Sequence, residues 1–354
     1  MKKYAGAWSF VLLGLVVGGV VLRAQGGAPF WAYGYLTPAA PGESAPVCAD
    51  ARPISCARPA APAADDGILR RLADTNAAFT TRQIAADYAP ADWYPGDHPP
   101  MPDIVAHGRE KDGLRACGLC HYPNGKGKME NGGVAGLPAS YILRQIADFK
   151  NGNRRSADPR KANTNEMIAI AKTLTDSEAK IAAEYFALTK WTPWVRVVES
   201  STVPKFRTTL NGLMLPLEGE ATEPLGQRLI ELPENPERTD KLRDPRSGFV
   251  AYVPVGSLAK GEALVTTGGA TVVDGKIVPG KTMQCGVCHG ADLRGLGDVP
   301  GIAGRSPSYT MRQLWDMQQG TRKGEATQLM KPVVARLTLD DMIAITAYVT
   351  SRTP

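Results

Sequence analysis

Apolar positions recur at helical spacing in three stretches of the chain. In the first, Tyr141, Ile142, Leu143, Ile146 and Phe149 are interleaved with Arg144, Gln145 and Asp148, which gives one apolar and one wet face. Asn151-Gly152 then supplies a C-terminal stop. In the second, Ile181, Ala182, Tyr185 and Phe186 follow Thr175-Asp176-Ser177-Glu178, whose cap and acids suit a helix start. The third begins near Leu339-Asp340-Asp341 and runs through Ile343, Ile345 and Tyr348. Between Trp191 and Pro254 the pattern changes. Val195, Val197 and Val198, Leu213 to Leu217, and Phe249 to Val253 read as short extended segments, with the charged stretch Glu231 to Arg246 looping between them.

The N-terminal quarter has two patterns of its own. Tyr4 to Leu22 carries no acidic or basic side chain and follows Lys2-Lys3, as in a secretory signal or an uncleaved anchor. Leu22-Arg23-Ala24 is a poor cleavage site and the run is long enough to span hydrocarbon, so the anchor is favoured. Residues 26–100 are rich in Ala and Pro and read as a semi-extended tether. Within it, Leu69, Leu72, Phe79, Ile84 and Tyr88 suggest one or two amphipathic helices between Ile68 and Tyr88.

The chain repeats itself. A shift of 168 residues overlays Cys117-Gly118-Leu119-Cys120-His121 on Cys285-Gly286-Val287-Cys288-His289, Gly133-Val134-Ala135-Gly136 on Gly301-Ile302-Ala303-Gly304, and Ser140-Tyr141 on Ser308-Tyr309. Arg144-Gln145 falls on Arg312-Gln313 and Gly152 on Gly320. With the shift reduced to 163, Met167 meets Met330, Leu174-Thr175 meets Leu337-Thr338, and Tyr185 meets Tyr348. In C-x-x-C-H the two thiols are spaced for the two vinyl groups of one haem, and the adjacent imidazole reaches the iron. Zinc is the main competitor, but it needs two further Cys or His ligands. The remaining His98, His107, Cys48 and Cys56 all precede the first motif, so the second has no helper. Two covalently attached haem c groups are expected.

The repeat register also selects the second axial ligands. A thioether opposite the histidine raises the potential of the iron. Met167 and Met330 coincide, each seven residues before the leucine that opens the last helix, whereas Met129, Met283, Met311, Met317 and Met342 have no counterpart. Gap-filling in a core is the plain alternative for any Met. His121 and Met167, and His289 and Met330, are the expected iron ligands. For His98 and His107 surface or satisfied positions are the default. Cys48 and Cys56 have the spacing of a small disulfide loop in an oxidising compartment.

These motifs resemble class I cytochrome c domains, and the tandem is most similar to the cytochrome c4 branch of dihaem electron carriers. The resemblance covers about residues 102–189 and 256–352. It implies a mainly α protein with two class I cytochrome c-like helical haem domains in tandem. An irregular, short-strand connector and an N-terminal membrane or signal helix complete it. The expected division is 1–25 signal or anchor, 26–100 extension, 101–190 first haem domain, 191–255 connector and 256–354 second haem domain. The implied role is electron transfer from a dehydrogenase or quinol-oxidising donor to a cytochrome c or oxidase acceptor. The periplasmic side of a bacterial inner membrane is the expected location. The alternatives are a membrane-tethered subunit of a larger oxidoreductase complex, or a dihaem peroxidase or thiosulfate-oxidising enzyme, against which two matched methionines argue. The connector, of about 65 residues, departs from the short linker of that branch.

Composition narrows this further. A net charge of +6 over 354 residues is modest and speaks against nucleic acid as a partner. No P-loop, GxGxxG, HExxH or GxSxG element is present, so neither a nucleotide cofactor nor a hydrolytic apparatus is indicated. Lys126, Lys128, Arg154, Arg155, Arg160 and Lys161 form a basic cluster, read equally as a solvated face or as a steering patch for an acidic partner. Trp191 and Trp194 are expected to pack the connector against the haem domains, with partner docking as the alternative.

Overall fold

A computed structural model describes residues 28–43 and 65–354. The apolar run Tyr4 to Leu22 and the pair Cys48 and Cys56 lie outside the described residues. Among those described, no helix is long and apolar enough to cross a membrane.

The first repeat holds helices α1 (Ala139–Lys150), α2 (Ala162–Thr173) and α3 (Asp176–Leu188). A connector follows, with strands β1 (Val195–Glu199), β2 (Ile230–Pro233) and β3 (Phe249–Val253). The second repeat holds α4 (Ser257–Thr267), α5 (Pro307–Gln318) and α6 (Leu339–Ser351). The two final helices start alike. Thr175 accepts from the Glu178 amide while the Glu178 side chain returns to the Thr175 amide, and Thr338 and Asp341 do the same. These reciprocal caps satisfy two orphan donors at each start.

The extension is not helical where an amphipathic pattern suggested it. Arg70–Arg71 pairs with Ala78–Phe79 in a two-residue ladder, and only the single turn Thr81–Ile84 is helical. Short polar side chains win here. Asp66 accepts from the Ile68 amide at 3.0 Å, and Thr75 accepts from the Ala77 amide at 3.2 Å. Such local bonds offer the backbone an alternative to the helix. Trp93 and Tyr94 bury this segment against Leu242, and Trp93 donates to the Leu242 carbonyl at 2.7 Å.

Nor is the connector a simple spacer. Phe249–Val253 is the central strand, parallel to Val195–Glu199 and antiparallel to Ile230–Pro233. Its buried side chains join one apolar cluster with Trp31, Tyr33, Leu264, Met311 and Ile343, so connector, N-terminal segment and second repeat share a core. Glu231, expected in a charged loop, sits in β2 and is fully buried. It accepts from Ser306 Oγ at 2.8 Å and the Ser308 amide at 3.1 Å, at the start of α5. Burial raises its pKa against the pull of those donors.

The two repeats differ at their starts. Helix α4 crosses α6 so closely that a Cβ on Gly261 would lie 2.0 Å from the Ala344 carbonyl oxygen. The matching stretch of the first repeat contains Pro90, Pro95 and Pro99, which bar a long helix, and only short turns, Pro95–Asp97, Asp103–Ala106 and Glu110–Asp112, lie between it and the motif among the described residues. Where the repeats meet, Arg154 and Arg322 form an antiparallel bridge. The Arg155 amide donates to Thr321 and the Lys323 amide to Asn153, both at 2.8 Å. Arg154 and Arg322 are themselves related by the 168-residue shift, so the bridge lies on an approximate twofold axis.

Candidate haem sites

Each attachment motif begins a short helix, Cys117–His121 in the first repeat and Gly286–His289 in the second. His121 Nδ1 faces the Gly132 carbonyl at 2.8 Å, and His289 Nδ1 faces the Pro300 carbonyl at 2.8 Å. Gly132 and Pro300 are again equivalent positions. A carbonyl accepts only from a protonated Nδ1, so Nε2 is left with its lone pair free. Burial holds both imidazoles below the ordinary histidine pKa and keeps them neutral.

Burial pushes the Cys117 thiol up to about 12 and the Cys285 thiol up to about 11. Among the described residues no group of three His, Cys, Asp or Glu side chains is placed to hold a metal ion.

Cys117, Cys120, His121 and Met167 line one cavity. The sequence placed these four residues together from spacing and repeat register alone. Its remaining lining is apolar through Leu137, Ile142, Ile146, Ile170 and Leu174, and charged through Arg154, Lys161 and Arg312 together with Glu130, Glu166 and Asp316. That donor set fits a flat apolar macrocycle bearing carboxylates. Arg154 and Arg312 are buried, and Arg312 donates to the Ala32 and Met129 carbonyls at 2.7 and 2.9 Å. Lys161, 2% exposed, is pushed down by burial to about 7. In the second repeat Met330 ends the turn Glu325–Met330 and packs, with Cys285, against the shared apolar cluster.

The structure changes the reading of the basic cluster. Lys126, Lys128, Arg154 and Lys161 are buried, so they form neither a solvated face nor a steering patch. Lys128 pairs with Glu130 at 2.9 Å, and Arg160 with Asp158 at 2.8 Å. Trp191 and Trp194 pack edge to face, Trp194 against Phe249, as expected of connector packing. His98 faces Asp92 at 3.2 Å, and His107 faces the Tyr88 carbonyl at 3.1 Å, so both are satisfied outside the cavity.

Sequence reasoning missed the groups between the repeats. Arg154 donates to Gln145, Tyr309 and Gln313 at 2.8–3.0 Å, and Arg322 to Gln313, Tyr141 and Gln145 at 2.9–3.0 Å. Burial pushes the Tyr309 hydroxyl up, but the two guanidiniums more than offset it and hold it below the usual tyrosine value. Tyr309, Arg312, Gln313 and Asp316 of α5 therefore wall the cavity of the first repeat. The signal was available, since every member of this network has a partner 168 residues away.

Two motifs of this kind, each with an oriented histidine, define a dihaem c-type cytochrome. No protein-family model matches the chain. It is 33% identical over 248 residues to the thiosulfate dehydrogenase electron acceptor of Stutzerimonas stutzeri, covering 69% of this chain and 82% of that one. It is 24% identical over 237 residues to cytochrome c4 of Pseudomonas aeruginosa, covering 66% and 82%. Among solved structures, reduced cytochrome c4 from Pseudomonas stutzeri aligns with a TM-score of 0.41 and 22% identity over 67% of this chain and 93% of that one. Thiosulfate dehydrogenase TsdBA from Marichromatium purpuratum aligns at 0.45 and 22%, over 70% and 39%. The chain belongs to the cytochrome c4-like dihaem cytochromes, and it carries two covalently bound haem c groups.

Proposed function

We propose that this chain is a one-electron carrier that takes electrons from a dehydrogenase outside the cytoplasm and passes them to a cytochrome or oxidase acceptor. Cys117 and Cys120, and Cys285 and Cys288, are the attachment points. His121 and Met167, and His289 and Met330, would hold the two irons. Bound haem supplies an iron that changes charge by one with little ligand movement. The residues do the rest: Gly132 and Pro300 fix the histidine tautomers, and the apolar wall excludes water.

The observation that carries this reading is the pair of equivalent carbonyls behind the two histidines, together with Met167 lining the same cavity as His121. With a histidine and a methionine to hold each iron, neither site would offer an open position to peroxide or thiosulfate. The name of the relative at 33% identity supports a dehydrogenase as donor, and thiosulfate dehydrogenase is the first to test. The basic start and apolar run before Arg23 support the periplasmic side of a membrane, by anchor or after cleavage.

The test mixes the oxidised chain with thiosulfate alone, then with thiosulfate and a purified thiosulfate dehydrogenase, and follows haem reduction by absorbance. Reduction only in the presence of the dehydrogenase is expected. Rapid reduction by thiosulfate alone, with tight cyanide binding to one haem, would overturn the carrier reading.

A further inference from the structure

The two aligned methionines occupy equivalent positions on different supports. Met167 lies in the middle of α2, a regular helix of 12 residues. Met330 closes the turn Glu325–Met330, beside Leu329, which is 75% exposed. A thioether is a weak, neutral donor on an unbranched, flexible side chain, so whatever holds its backbone decides how firmly it stays in place.

Helix α2 is fastened to the first attachment segment at two places. Glu166, the immediate neighbour of Met167, pairs with Arg115, two residues before Cys117, and both side chains are 9% exposed. Arg115 also lies 3.6 Å from the Asp87 carboxylate, so it is held between two acids. One turn before Met167, Asn163 Nδ2 donates to Asn131 Oδ1 at 2.9 Å, and Asn131 Nδ2 donates in turn to the Cys120 carbonyl at 3.2 Å. That relay ends on an attachment cysteine. All four of these side chains line the cavity of Cys117, Cys120, His121 and Met167. A charge-assisted contact is roughly twice as strong as a neutral one, and here it joins the attachment segment to the residue beside the methionine.

The second repeat has neither fastening. The shifts that align the motifs and the methionines put Met283 at Arg115, Val299 at Asn131, Ala326 at Asn163 and Leu329 at Glu166. Every polar group is replaced by an apolar side chain that can form neither bond. Within the turn before Met330, the side-chain bond found among the described residues is local, from Gln328 to the Lys323 carbonyl. Beyond the methionines the repeats are tied alike: Arg109 donates to the Thr173 carbonyl at 2.9 Å, and Thr282 donates to the Val333 carbonyl at 2.7 Å. The difference is confined to the stretch that leads into each methionine.

We propose that Arg115 with Glu166, and Asn131 with Asn163, are positioning residues that hold Met167 at the first iron, and that Met330, which lacks them, is the more readily displaced ligand. This rests on the assignment of Met167 and Met330 above. None of the four is itself a ligand; each acts through the backbone of α2, as outer groups do when they orient the side chains that hold a metal. Displacement by a competing base exchanges one neutral donor for another and transfers no electron.

The test titrates the oxidised, full-length dihaem protein with imidazole, a neutral nitrogen donor, and follows the sulfur-to-ferric-iron absorption band. In the wild type the band should fall in two steps of similar size, the later one needing about tenfold more imidazole or beyond, the range in which outer groups affect ligand binding. Met330→Ala should lack the earlier step and keep the later one. Arg115→Met with Glu166→Leu installs the residues of the second repeat. It should bring the later step down by about tenfold and leave the earlier one in place. Asn163→Ala should move the later step in the same direction, whereas Arg115→Lys, which keeps the charge, should keep the two steps apart.

A single step in the wild type, or a later step that does not move in these variants, would overturn the proposal. So would Arg115→Met acting as strongly as the double variant while Glu166→Leu alone does nothing, because Arg115 would then serve the carboxylates of the haem and not α2. Should the double variant fail to mature with two haems, Asn163→Ala alone decides by the same criterion. A band left whole in both Met167→Ala and Met330→Ala would instead defeat the ligand assignment on which the proposal rests.

Discussion

Gly261→Ala separates two opposed effects at one position. Gly261 lies in the interior of α4, where alanine is favoured over glycine by about 1 kcal/mol through backbone entropy alone. Propensity therefore predicts a stabilised protein. The crossing with α6 predicts the reverse. The new Cβ would lie 2.0 Å from the Ala344 oxygen and 2.7 Å from the Tyr348 Cβ, where ordinary contacts need more than 3 Å. The helices must part by about 1 Å or more, and neither obstacle is the end of a flexible side chain. Overpacking of this kind costs roughly 1–3 kcal/mol, sometimes more. Parting the helices also loosens Ile343, Ala347 and Tyr348, which are buried, and a fully buried apolar side chain contributes about 1.5–3 kcal/mol. A net loss of about 2–4 kcal/mol is expected, confined to the second repeat. Guanidinium denaturation followed at the absorption of each haem measures it: the second transition should move to lower denaturant and the first should hardly move. A variant as stable as wild type, or more stable, would show that the crossing yields and that propensity decides.

Three further outcomes follow from the sites. Met167→Ala and Met330→Ala should each remove about half of the sulfur-to-ferric-iron absorption band and lower one midpoint potential, and loss of the band in Met129→Ala instead would break the repeat register. Arg243→Gln removes a cation and a hydrogen bond from the first motif. It should lower the first midpoint potential by an amount on the order of 1 kcal/mol and leave the second alone, as redox titration of the two haems will show. For His98, burial lowers the pKa but the Asp92 carboxylate and the Pro99 carbonyl more than offset it, so the folded value is raised. Its contribution is then fully present below the unfolded value of about 6.5 and is lost as the pH rises through the folded one. His98→Gln should therefore destabilise the protein at pH 5.5 and be close to neutral at pH 9 by thermal unfolding.

Much of the site was readable because its signals are local. The cysteine spacing and the Thr-x-x-Glu and Thr-x-x-Asp caps each lie within a few residues, Met167 lines the cavity of the first motif, and the connector's strands follow its β-branched runs. Other features depend on what folds over them. Lys126 and Lys128 read as solvated because a sequence shows charge and not cover, yet both are buried. The helical pattern of Ile68 to Tyr88 gave way to side-chain bonds from Asp66 and Thr75 that periodicity does not weigh. Arg154 and Arg322 look like two surface arginines until the repeats are docked face to face.

The wall that α5 lends to the first cavity bears on the order of assembly. A chain made from its N-terminus presents Cys117 to His121 long before residues 307–318 exist, so the first macrocycle can be attached while that side stands open. Closure must wait for the second half to fold and bring Tyr309, Arg312 and Asp316 into place. Maturation then runs from an accessible first site to a sealed one. A chain ending at residue 255 would keep its first prosthetic group bound but wet, with the buried guanidinium of Arg154 left facing water.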